Sequence, residues 1–153
     1  MKTNLMTLLA LLGIITFGSS MAQASQENLY SVVIKVENLR NSKGVVQYAL
    51  YNRDGSIPDE KYERYHRKGI AEISNGRSTL PFNDLPAGNY AISILHDENK
   101  NGKIDKKFLL PIPSEGVGIS NYQSIGFSNR PNFSKASFPL DSNMTMDVKI
   151  IYM

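Results

Sequence analysis

Leu85–Asn121 reads L-P-A-G-N-Y-A-I-S-I-L-H-D-E-N-K-N-G-K-I-D-K-K-F-L-L-P-I-P-S-E-G-V-G-I-S-N. After the turn chemistry of Pro86-Ala87-Gly88, Tyr90–His96 alternates, with Ile92 and Ile94 on one side. That two-residue period is the mark of a strand with one face on a core. The strand opens into Asp97, Asn99, Asn101, Lys103 and Asp105, five polar positions at a two-residue step around Gly102. This is the spacing of the first nine positions of a calcium-binding loop. In such a loop, side-chain oxygens at positions 1, 3, 5 and 9 and the backbone carbonyl at position 7 converge on one ion.

Outward from that stretch, the chain is punctuated as a series of strands. Leu29–Leu39 is rich in β-branched residues, with Val32, Ile34 and Val36 in phase and Lys35 and Glu37 opposite. Arg40–Gly44 has turn chemistry and Val45–Asn52 resumes the extended pattern, so the two runs predict a hairpin. Ile57–Lys68 is the most polar segment and reads as a loop, with Pro58 and acids ahead of bases suiting one helical turn. Ile70–Ser74 and Arg77–Phe82 flank Asn75-Gly76, the residue pair that supplies two positive-φ positions to a type I′ turn, and so predict a second hairpin. Ala136–Leu140 and Met144–Tyr152 read as closing strands, the latter with Met144, Met146, Val148 and Ile150 in register. About seven short strands between turns predict an all-β fold, a single antiparallel β-sandwich over residues 25–153 with one long loop arm, Phe108–Asn121.

These residues resemble a known family. I-K-V-E-N-L-R-N-S-K-G-V-V-Q-Y-A-L-Y-N from Ile34, F-N-D-L-P-A-G-N-Y-A-I-S-I-L-H-D-E-N-K-N-G-K-I-D from Phe82 and F-L-L-P-I-P-S-E-G-V-G-I-S-N from Phe108 are together similar to the bacterial exported family called domain of unknown function 2141. The resemblance runs from about Leu29 to Tyr152, a single domain's length. It departs after Asn121, where Y-Q-S-I-G-F-S-N-R lengthens a loop. The resemblance implies a secreted or periplasmic sandwich similar to immunoglobulin-like and transthyretin-like modules, with no established activity.

Lys2, an uncharged apolar stretch Leu5–Phe17 and the small-residue end Ala22-Gln23-Ala24 have the parts of a secretory signal peptide. The stretch is short of the roughly 20 apolar residues of a membrane span, and the reading expects cleavage after Ala24. The formal net charge is +3, and removing residues 1–24, whose single charge is Lys2, leaves +2, too weak a bias to predict nucleic acid or a membrane surface as partner. With no cysteine, the chain relies on its hydrophobic core, which suits a bacterial periplasm or envelope. No later segment is long and apolar enough to span a bilayer. No sequence feature sets an oligomeric state.

In the polar loop, Asp97, Asn99, Asn101 and Asp105 offer four side-chain oxygens and Lys103 a carbonyl. Position twelve, where a bidentate acid belongs, is Phe108; Glu115 is the acid that could fold back to replace it. Against calcium stand the turn-capping habit of Asx residues and the charges of Lys100, Lys103, Lys106 and Lys107. Any calcium binding is expected in the millimolar extracellular range. His66 and His96 are too few for a transition-metal site without cysteine. No Cys nucleophile or G-x-S-x-G elbow is present. The arm Phe108–Asn121 reads as a cover over the sandwich end or as a partner-binding loop, and Tyr48, Tyr62, Tyr65, Tyr90 and Tyr122 as strand tyrosines or a carbohydrate platform.

Two function classes follow. One is a non-catalytic binding or envelope-accessory module, its loop ordered by calcium, engaging a protein or glycan of the cell envelope. The other is a hydrolase-type enzyme using Asp97, His96 and Glu115. An enzyme requires a concave pocket with a perturbed carboxylate or imidazole, which the binding module does not.

Overall fold

A computed structural model describes residues 27–153, and the leader read over residues 1–24 lies outside them. The described chain runs β1 Leu29–Val36, β2 Val45–Tyr51, β3 Arg67–Ala71, β4 Ser78–Pro86, β5 Gly88–Asp97, β6 Gly116–Ile119, α1 Phe133–Ala136, β7 Phe138–Leu140 and β8 Met144–Asp147. Two sheets form a sandwich. One has the order β4-β1-β8, the other β3-β2-β5-β6, with β7 paired to the first residues of β5. β5 is the central strand of the second sheet: β2 covers one edge from Ala91 to Asp97, while β7 and then β6 share the other.

The core between the sheets holds Val32, Ile34 and Val36 of β1, Val46, Tyr48 and Leu50 of β2, and Ile92 and Ile94 of β5. β1 alternates as expected, because its sheet packs on the core with one face only. β2 does not alternate; all seven residues are buried. The outer face of its sheet carries a second apolar cluster, in which Tyr51, Ala91 and Leu95 meet Ile57, Tyr62, Tyr122, Phe133 and Ala136 from the connecting segments. A sheet covered on both faces gives continuous burial rather than a period of two.

Three connections differ from the sequence expectation. β1 and β2 do not form a hairpin: the Arg40–Gly44 turn carries the chain from one sheet to the other. Asn75 (φ 51°) and Gly76 (φ 70°) do form the expected turn, with Ser74 and Arg77 exchanging both backbone hydrogen bonds at 2.9 Å. Beyond that single bridge β3 pairs with β2 and β4 with β1, so the turn reverses the chain while passing it from one sheet to the other. β8 pairs with β1 in parallel, the one parallel ladder among the described residues. The polar segment after Ile57 makes a single hydrogen-bonded turn, Tyr62 N donating to the Asp59 carbonyl at 3.2 Å, and goes no further: Tyr62 takes φ 54° and its ring is buried in the second cluster.

The C-terminal run closes one side of the sandwich. From β8 it passes to the other sheet, where Ile151 and Val117 exchange hydrogen bonds of 2.7 and 3.0 Å. The predicted alternation persists through this crossing, with Val148 and Ile150 buried and Lys149 exposed. Gly116 and Gly118 allow the close passage: a Cβ on Gly118 would lie 2.7 Å from the Lys149 carbonyl oxygen, and one on Gly116 would strike the Tyr152 ring. The arm expected to be loop through Asn121 is thus strand from Gly116 to Ile119.

Inside the main core the Tyr48 hydroxyl makes no well-formed hydrogen bond among the described residues; the Ser78 hydroxyl beside it donates to the Glu72 carbonyl at 3.0 Å. Burial pushes its phenol up to about 12. Tyr48→Phe is therefore expected to leave stability unchanged or to raise it by about 1 kcal/mol, read from a thermal melt. A loss of about that size would show that the hydroxyl is bonded after all.

Candidate functional site

β5 ends in Asp97, whose side chain is buried. The loop beyond folds back onto it: Asn101 N donates to Asp97 Oδ1 at 3.0 Å and Gly102 N to Oδ2 at 2.7 Å. Asn99 Oδ1 accepts from Asn101 N at 3.1 Å, and Asn101 Oδ1 from Lys103 N at 3.0 Å. Lys100 (φ 61°) and Gly102 (φ 79°) take the left-handed turns that make this reversal, and Gly102 is the position at which a calcium loop needs glycine. Asn99 and Asn101 both turn their Nδ2 groups to Asp105 Oδ2, at 2.6 and 2.8 Å. Asp97, Asn99, Asn101 and Asp105 thus meet in one hydrogen-bonded knot, while the Lys103 side chain is exposed and only its backbone belongs to the loop.

Glu115 folds back onto this knot, as the sequence allowed. It is 5% exposed, and accepts from Glu98 N at 2.9 Å and Asp105 N at 3.3 Å. Burial pushes its carboxyl above the ordinary value; the two N–H donors work against that rise, and Asp105 and Asp97 add to it. Among the described residues no group of three or more His, Asp or Glu side chains is placed to hold a metal. A calcium ion here would need the Asn99 and Asn101 amide oxygens and the Lys103 carbonyl as well, and would replace the two amide donors on Asp105. Hard oxygens of this kind are what calcium takes.

His96 is fully buried and is not free to act. Its Nε2 lies 2.9 Å from the Lys43 carbonyl and so donates to it, leaving Nδ1 to accept from the Tyr152 hydroxyl at 2.7 Å. Tyr152 in turn accepts from Arg40 N at 3.1 Å. Gly44 (φ 72°) lets β2 start against the end of β5, since a Cβ there would run into the Asp97 carbonyl oxygen.

Sequence reasoning missed Arg40 and Glu98. Arg40 Nε donates to Glu98 Oε1 at 2.6 Å, Nη2 donates to the Ser114 carbonyl at 3.1 Å, and the guanidinium lies over the Tyr152 ring at 4.7 Å. Burial alone would raise the Glu98 carboxyl, but hydrogen bonds from Asn41 and Arg40 and the Arg40 charge hold it below its ordinary value. This cluster joins loop, arm and C-terminal run. No local spacing could have shown it, because its members come from four separate segments.

Beside the second cluster lies a cleft of about 470 Å³, lined by Ser93, Val117 and Ile119 of the sheet, Ile104 of the loop, Ile112 of the arm and Ile125. Asp59, Glu60 and Arg130 reach it. Asp59 accepts from the Tyr51 hydroxyl and Arg64 N, and Glu60 pairs with Lys106 at 2.7 Å; among the described residues Arg130 makes no ion pair. Tyr48, Tyr62, Tyr90 and Tyr122 are buried, so those tyrosines form no surface platform; His66 tilts against Tyr90 at 6.2 Å.

A family model described as an uncharacterized protein conserved in bacteria, domain of unknown function 2141, matches residues 34–148. The chain belongs to that family. The region of this domain of unknown function 2141 member covered by the match begins in β1 and ends just past β8, and so takes in both sheets, the polar loop and the arm. No curated protein and no solved structure proved similar to it.

Proposed function

We propose that this protein is a non-catalytic binding module of the bacterial cell envelope, exported by its N-terminal segment and cleaved after Ala24. Its cleft receives the apolar part of an envelope partner, and its Asp97–Asp105 loop with Glu115 takes up calcium and thereby steadies the arm that walls the cleft. One observation carries this reading: Glu115 ties the loop to the arm through two backbone N–H groups, so whatever orders the loop also orders the cleft wall. The cleft is of the size and apolar character of ligand sites. His96, the imidazole an enzyme would use, has both nitrogens committed and does not line it.

Calorimetric titration of the chelator-treated chain with calcium tests the metal. Heat with an affinity of roughly millimolar order, together with a rise in Tm by mass action, is expected for the natural chain and not for Asp97→Ala. A melting curve indifferent to calcium overturns it. For the cleft, an apolar fluorescent probe should bind once and be displaced by Ile125→Trp, which fills the half-buried wall; equal binding by that variant would remove the cleft from the proposal.

A further inference from the structure

The first half of the arm is a tied hairpin. Lys106 and Pro113 pair as an antiparallel bridge, Lys107 N donates to the Ile112 carbonyl at 2.8 Å, and Leu110 N to the Lys107 carbonyl at 3.0 Å. Leu109 makes the tip with φ 62°, a region leucine seldom occupies. The backbone of this turn is held by the fold, yet its side chains are not: Phe108 is 88% and Leu109 86% exposed. Single exposed apolar residues need no account. Two adjacent large ones at the apex of a hydrogen-bonded turn are spent on nothing inside the molecule.

Lys107 adjoins Phe108, and Lys103 lies in the loop that precedes the arm, both exposed and, among the described residues, without an ion pair. Lys106 is offset by Glu60. At the cleft lining Phe127 is 77% exposed with the Arg130 guanidinium 5.9 Å from its ring centre. An apolar tip with cations beside it matches a boundary at which hydrocarbon lies just beneath negative headgroups. Lysine stems reach along such a boundary while their ammonium groups stay in water.

We propose that the Phe108-Leu109 tip inserts into the interfacial layer of an anionic phospholipid bilayer, with Lys107 and Lys103 on the headgroups. This holds the protein at a membrane surface reversibly, without a spanning segment, and depends on neither calcium nor an occupant of the cleft. Among the described residues no helix is long and apolar enough to cross a membrane, and none is required.

Cosedimentation of the chain from Ser25 onward with phosphatidylglycerol–phosphatidylcholine vesicles at low salt tests it, with phosphatidylcholine alone as the comparison. Binding is expected to the anionic vesicles and to weaken with salt. The doubly substituted Phe108→Ser, Leu109→Ser chain should bind at least about tenfold less, given the apolar area withdrawn, and Lys107→Glu about fivefold less or weaker. The emission of Phe108→Trp, in a chain with no other tryptophan, should shift to the blue on binding. Because these side chains touch little, the Tm of each variant should match the natural chain, which separates lost binding from lost folding. The proposal is overturned if the natural chain stays in solution with anionic vesicles, or if the double variant sediments as well as it does. A concentration-dependent dimer that the same double variant abolishes, without vesicle binding, would overturn it in favour of self-association.

Discussion

Gly118→Val should destabilise the protein by about 3 kcal/mol or more, the upper range for overpacking a site that cannot give way. The added atoms would enter space occupied by the Lys149 backbone and the Val148 side chain, where the C-terminal run crosses from one sheet to the other. Backbone cannot rotate aside as a long side chain can. For a domain of this size the loss corresponds to a fall in Tm of about 10 °C. Gly126→Ala is the matched control: a Cβ there meets nothing within 4 Å, and the change should stay within about 0.5 kcal/mol. Denaturant melts of the two variants decide it, and a Gly118→Val chain as stable as the control would mean that the crossing is looser than described.

Glu115→Ala should cost about 2–3 kcal/mol, because it strands the Glu98 and Asp105 N–H groups that its carboxylate now satisfies. Under the proposed function it should also abolish any calcium-induced rise in Tm, a second readout that a purely structural role would not move. The sign of the pH response follows from the raised carboxyl. A group bound more tightly to its proton in the native state favours folding at acid pH, and that contribution is lost as the pH climbs from the unfolded value through the raised native one. Glu115→Gln should remove that pH dependence and, if calcium binds, the affinity as well. An unaltered pH–stability profile in Glu115→Gln would show that other groups dominate this window.

Strand content was readable because β-branched runs and turn residues act locally. The alternation of Val32, Ile34 and Val36 and the Asn75-Gly76 turn were both visible as such. Pairing was not, because it depends on strands distant in the sequence: Arg40–Gly44 has the chemistry of a hairpin turn yet serves as a crossover, and the continuous burial of β2 comes from a second apolar cluster assembled from distant segments. At the loop, residue spacing foretold the folding of Asp97, Asn99, Asn101 and Asp105 toward one another, and Glu115 emerged as the acid that returns. Arg40, whose partners Glu98, Ser114 and Tyr152 lie 58 to 112 positions away, left no trace in the local sequence. The arm read as a cover or a partner-binding loop, and what packs against its Gly116 and Gly118 is the protein's own C-terminal run.

The parallel ladder between β1 and β8 has a kinetic consequence. One edge of β1 stays open until Met144–Asp147 arrive, so a fragment that ends before β8 cannot complete the three-stranded sheet. Sequence-distant pairing of this kind slows folding and leaves an adhesive edge in the interim. In cell-free synthesis it is the point at which stalled, C-terminally shortened products would clump.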